Sequence, residues 1–164
     1  MKRVLIAIHP EPVSYAAARH YLEKMRQPTD YVYFFHLFTP PTIPRPGGPA
    51  LCDSTPEQLQ ANSDYERMEM GLEKAIKELQ NEFEIPDNLF QYTQLDTTNH
   101  SQNAENIAKE ILMEIKDKKM DLVVMGSRNT CTKIFLGSVS DMVAKKANVM
   151  NFDIKILKEK DMID

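Results

Sequence analysis

Gly126, Arg128, Lys133 and the pair Gly137-Ser138 are the residues of this chain whose types and spacing best suit a chemical task. An apolar run, Leu122-Val-Val-Met125, ends on Gly126, a polar loop with two cations follows, and Gly137-Ser-Val-Ser140 is expected to open an amphipathic helix. A phosphate needs several N–H donors pointing one way, backbone that can approach closely, and few carboxylates nearby. A helix start supplies the donors together with the positive end of a dipole. Gly126, without a Cβ, permits close approach. Ser138 can cap the helix or donate to an oxyanion. Arg128 and Lys133 can neutralise phosphate charge, Arg128 as a bidentate donor. The same spacing also fits a glycine and serine that merely begin a helix, and the residues alone leave both readings open.

Other candidates are weaker. His9 closes the first apolar run, in Ile8-His9-Pro10-Glu11-Pro12. A neutral imidazole there can accept one hydrogen bond and donate another. A protonated one favours phosphate, so that binding would rise as pH falls through the range where histidine titrates. The plain alternative is a surface residue that ends a strand. His36 sits inside an apolar strand and is expected to be a hydrogen-bonded core histidine. Cys131 lies close to Lys133, which suits a thiol of lowered pKa, but the other cysteine is the distant Cys52 and a redox role is not adopted. His100, Asp96 and His36 match no metal-ligand spacing. There is no Gly-x4-Gly-Lys-Ser/Thr loop and no Ser-His-Asp arrangement in a recognisable context, so a dedicated catalytic activity is not expected.

These residues must be held by something, and strand and helix patterns alternate along almost the whole chain. Val4–Ile8 reads as a buried strand, with continuous apolar and β-branched residues. A helix is expected from Pro12, with Ala17, Tyr21 and Met25 on one face. Tyr31–Phe38 is an aromatic-rich second strand. Residues 39–56 hold most of the ten prolines and Gly47-Gly48, which makes a loop. A long helix is expected from about 56 to 83, its stripe formed by Leu72, Ala75, Ile76, Leu79 and Phe83. Leu89–Leu95 is a weaker third strand. Ser101 can cap a helix whose face carries Ile107, Ile111, Leu112 and Ile115. A fourth strand over Leu122–Met125, a helix from about Ser138 to Lys146 and a last strand over Phe152–Leu157 complete the series. Such alternation implies right-handed crossovers and a mostly parallel sheet with helices on both faces, a doubly wound α/β domain over residues 1–164. Periodicity does not give the strand order.

Bulk properties narrow the function. A formal net charge of -4 over 164 residues argues against non-specific nucleic-acid binding. No apolar run approaches the ~18 residues of a membrane span, and Val4–Ile8 is too short for the core of a signal peptide. A cytoplasmic location is expected.

Asp121-Leu-Val-Val-Met-Gly-Ser-Arg128 and Leu136-Gly-Ser-Val-Ser-Asp-Met-Val143 resemble the carboxyl-terminal signature of the universal stress protein family. Phe34-Phe-His-Leu-Phe-Thr-Pro-Pro41 resembles its second strand and His-Val element. The resemblance implies a five-stranded parallel sheet of order 3-2-1-4-5, usually a homodimer, and in one branch ATP or another adenine nucleotide, with or without magnesium, between strands one and four. By matching position it places Leu37 beside the adenine, and Met125, Gly126, Gly137, Ser138, Val139 and Ser140 around the ribose and phosphates. Arg128 and Asn129 fall in the phosphate loop, and His9 stands where ATP-binding relatives usually carry an Asp. The family's glycine loop is altered: Asn129 replaces the second glycine, and only seven residues, Thr130 to Leu136, precede Gly137, where that branch has nine. Asn tolerates the left-handed region better than most residues, whereas the shortening reshapes the phosphate cradle. The implied function is a stress sensor or regulator acting through nucleotide binding and dimerisation, the dimer forming through Phe152 to Leu157. An interaction module without nucleotide is the alternative, and a slow ATP hydrolase the third.

Overall fold

The computed structural model describes residues 1–9, 12–38, 70–96, 104–127 and 134–158. Five strands form one sheet: β1 (Arg3–Ala7), β2 (Tyr31–Phe38), β3 (Phe90–Asp96), β4 (Leu122–Ser127) and β5 (Asp153–Lys158). Between them run helices α1 (Pro12–Lys24), α2 (described over 70–82), α3 (Ala104–Lys118) and α4 (Ile134–Met150). All neighbouring strands pair in parallel, in the order β3-β2-β1-β4-β5. The order implied by the family resemblance is therefore the one observed. The strands lie within one or two residues of their expected positions.

Side chains alternate across the strands and divide the core in two. Val4, Ile6, Val32, Phe34 and Val124 face α1 and α2, where Ala17, Ala18, Tyr21, Leu72, Ile76 and Leu79 cover them. Leu5, Tyr33, Phe35, Val123 and Met125 face α3 and α4, against Ile107, Ile111, Ile115, Val139, Val143 and Ala147. Near-continuous apolar runs in β1, β2 and β4 follow from burial on both faces.

The amino-terminal edge of the sheet is tied by side chains as well as backbone. Asp30, almost fully buried, accepts from the backbone N–H of Lys2 and of Gln27 and from the Tyr21 hydroxyl. Arg3 donates from Nε to Lys118 O at 2.9 Å and lies 4.7 Å above the Tyr31 ring. On the helix layer, Arg19 and Glu82 join α1 to α2 through two parallel bonds of 2.6 and 2.8 Å.

Three helices stop in the same way. Glu84, Lys119 and Asn151, which follow α2, α3 and α4, adopt positive φ of 48°, 52° and 59°. The next residue in each case bonds back five positions, as in Ile85 N to Gln80 O, Met120 N to Ile115 O and Phe152 N to Ala147 O. Ile85, Met120 and Phe152 are all buried. These are Schellman terminations with an apolar anchor, each without the glycine that commonly occupies the left-handed position.

Candidate functional site

In an open parallel sheet the crevice lies at the carboxyl ends of the strands where the order reverses. Here β1 connects through α1 to β2 on one side, while β4 pairs on its other side, so the reversal lies between β1 and β4. His9 follows β1 and Gly126 is the penultimate residue of β4, so both expected residues stand at this point.

Gly126 is needed for packing. A Cβ there would come within 2.8 Å of Val13 O and 3.2 Å of Ser14 Cα, so the first turn of α1 lies directly on β4. The close approach expected of a phosphate is made here by the protein's own backbone. Ser14 is fully buried, and its Oγ accepts from the His9 N–H at 2.9 Å. His36, expected as a hydrogen-bonded core histidine, is fully buried and donates from Nδ1 to Ile8 O at 2.8 Å. A carbonyl only accepts, so the proton sits on Nδ1. The His9 and His36 rings meet edge to face, 5.8 Å between centroids and 81° between planes.

The start of α4 corrects the sequence reading. The helix begins at Ile134 rather than near Ser138. Gly137 and Ser138 therefore lie inside it, Ser138 is not its cap, and Ser138, Val139 and Ser140 fall beyond the first four N–H groups that lack helical acceptors. Leu136, Val139, Val143 and Ala147 continue the helical period backwards past Gly137. One interior glycine opposes this by only about 1 kcal/mol. Burial adds a second restriction. Met125 and Val139 are 2% exposed and belong to the α3–α4 core, and Ser140 is 0% exposed. Among the described side chains at the expected site, His9 alone is partly exposed.

Leu37 is placed by its backbone in β2, paired with Leu95 of β3. Arg128, Asn129, Cys131, Lys133, His100, Ser101 and the loop 39–56 lie outside the described residues. Ser14 was missed, although it left a trace: it is a polar residue on the stripe of Ala17, Ala18 and Tyr21. Val13 left none, because contact across a sheet cannot be read from spacing. An open groove of about 530 Å³ at the opposite edge, lined by residues such as Ile115, Lys116, Asp121, Val149 and Met150, is remote from these groups. No three metal-ligating side chains cluster among the described residues, and no described helix is long and apolar enough to cross a membrane.

A parallel sheet of order 3-2-1-4-5 with helices on both faces and its order reversing between β1 and β4 defines an open, doubly wound α/β protein. Residues 1–150 match the model of the universal stress protein family, and the chain belongs to that family. No curated protein matches it individually in sequence. Among solved structures it is similar to universal stress protein UspA from Lactobacillus plantarum, with TM-score 0.56, 11% identity, and 95% of this chain and 97% of that one covered. It is also similar to a universal stress protein family protein from Arabidopsis thaliana with AMP bound, with TM-score 0.54, 16% identity and coverage of 96% and 92%. A third is a universal stress protein in complex with cAMP, with TM-score 0.51, 14% identity and coverage of 95% of each chain.

Proposed function

We propose that this protein binds an adenine nucleotide, ATP or AMP, at the carboxyl ends of β1 and β4, and acts as a stress-response sensor rather than a catalyst. The observation that carries this reading is the strand order, which opens the sheet between β1 and β4 with His9 and Gly126 at the opening. The AMP and cAMP described with similarly folded proteins support an adenine nucleotide as the ligand class. In this reading Leu37 meets the adenine through backbone, His9 meets the ribose, and Arg128, Asn129 and the start of α4 hold phosphates, with magnesium as an optional companion. Occupancy then biases residues 127–136 and a homodimer formed along β5. That strand is a sheet edge with Ile154 and Ile156 half-exposed, a surface that pairing would cover. The protein works in the cytoplasm.

A second reading has a specific observation in its favour. Met125, Val139 and Ser140 are closed to solvent and the space above Gly126 is filled by α1. A family member that has lost the nucleotide and serves as an interaction module fits those facts. Denaturing the purified protein and analysing the released nucleotide, then titrating a fluorescent ATP analogue, separates the two. A carried adenine nucleotide or saturable binding supports the first reading. Nothing released and no saturation at millimolar ligand sinks it.

A further inference from the structure

The peptide group between Ile8 and His9 is held at both ends by side chains. Its carbonyl oxygen accepts from His36 Nδ1 at 2.8 Å and its N–H donates to Ser14 Oγ at 2.9 Å. Both side chains are fully buried, one on β2 and one in the first turn of α1. One residue earlier the backbone still bonds in ladder fashion, Ile8 N to Phe35 O at 2.9 Å. Side chains thus take over where the chain leaves the sheet. In a trans peptide the C=O and N–H point in opposite directions, so two such bonds from opposite sides allow one orientation of the plane. Turning it would strand two buried polar groups.

We propose that His36 is a positioning residue of the crevice. Its Nδ1–H, with Ser14 as counterpart, locks the Ile8–His9 peptide and thereby aims the His9 imidazole at the ligand. This rests on the nucleotide reading above. His36 itself is 0% exposed and acts through His9.

The test uses the donor's position. An Asn amide nitrogen can reach the place of Nδ1, whereas Gln carries its nitrogen one bond further out and Leu offers none. His36→Asn, His36→Gln and His36→Leu are compared by circular dichroism, by amide exchange at His9 and by titration with the fluorescent ATP analogue. In His36→Leu, exchange at the His9 amide accelerates about tenfold relative to core amides and the Kd rises about tenfold, while His36→Asn stays within about threefold of wild type on both. Unchanged His9 exchange in folded His36→Leu overturns the clamp whatever the affinity does. Accelerated exchange with unchanged affinity overturns its role in binding. If His36→Leu does not fold, the amide pair decides: Gln behaving like Asn overturns the proposal. If the wild type binds no nucleotide, the nucleotide reading fails, and the exchange at His9 still judges the clamp.

Discussion

A Cβ on Gly126 would lie 2.8 Å from the carbonyl oxygen of Val13, so the first turn of α1 and the end of β4 touch at a distance that only glycine permits. The contacted atoms are backbone and cannot swing aside. Gly126→Ala should destabilise the protein by about 1–3 kcal/mol, the usual range for overpacking. The urea midpoint should fall with an unchanged m-value. An unaltered midpoint would mean that α1 slides on the sheet at no cost.

Asp30 and Tyr21 offer a graded test. Removing the carboxylate in Asp30→Ala takes the acceptor from the buried Tyr21 hydroxyl and from two partly buried backbone N–H groups. A loss of about 2–4 kcal/mol is expected, against about 1 kcal/mol for Tyr21→Phe, which leaves Asp30 its two backbone donors. Equal losses in chemical denaturation would show that the backbone bonds contribute little.

Two tyrosines should ionise late. Burial, with the Glu114 carboxylate 3.0 Å from its hydroxyl, pushes Tyr33 up to about 12 despite a bond to Thr93 that acts the other way. Burial, then the Asp30 charge, pushes Tyr21 up as well. The folded pKa lies above the unfolded value of about 10, so between them the native state binds more protons. Stability is fully present below about 10 and declines as pH climbs toward 12. Tyrosinate absorbance followed alongside circular dichroism should show the last tyrosines ionising as the fold is lost. In Tyr33→Phe the alkaline decline should be shallower.

The Arg19–Glu82 bridge makes an opposite, weaker statement. Its bidentate bond to Arg19 holds Glu82 below the ordinary carboxylate range. A depressed carboxylate stabilises above its unfolded pKa, near 4.3, and that contribution is lost as pH falls through the folded value. Both side chains are almost half exposed, so salt should screen the coupling. A double-mutant cycle with Arg19→Met and Glu82→Gln should give a small coupling at neutral pH and none at acid pH.

Much of the fold was legible because burial on both faces of a parallel sheet leaves short apolar runs whose length, β-branched and aromatic content and flanking breakers mark them as strands. Val4–Ile8 and Tyr31–Phe38 are such runs, and the strands observed there agree to within a residue. The start of α4 was less legible. Gly137-Ser138 carries the composition of a helix start, and the apolar period running back through Leu136 outweighs it. The roles of Gly126 and His36 depend on Val13, Ser14 and Ile8, residues distant from them in sequence. The sequence singles out that glycine and that histidine without saying what they touch.

Glu84, Lys119 and Asn151 end their helices at the rim of the sheet opposite the crevice, because helices run antiparallel to the strands they connect. A side chain in the left-handed region carries strain that glycine avoids. Replacing Lys119 with glycine should therefore raise the melting temperature while leaving ligand affinity as it was. The rim at the amino ends of the strands is therefore a place where robustness can be adjusted without touching the rim where the nucleotide is proposed to bind.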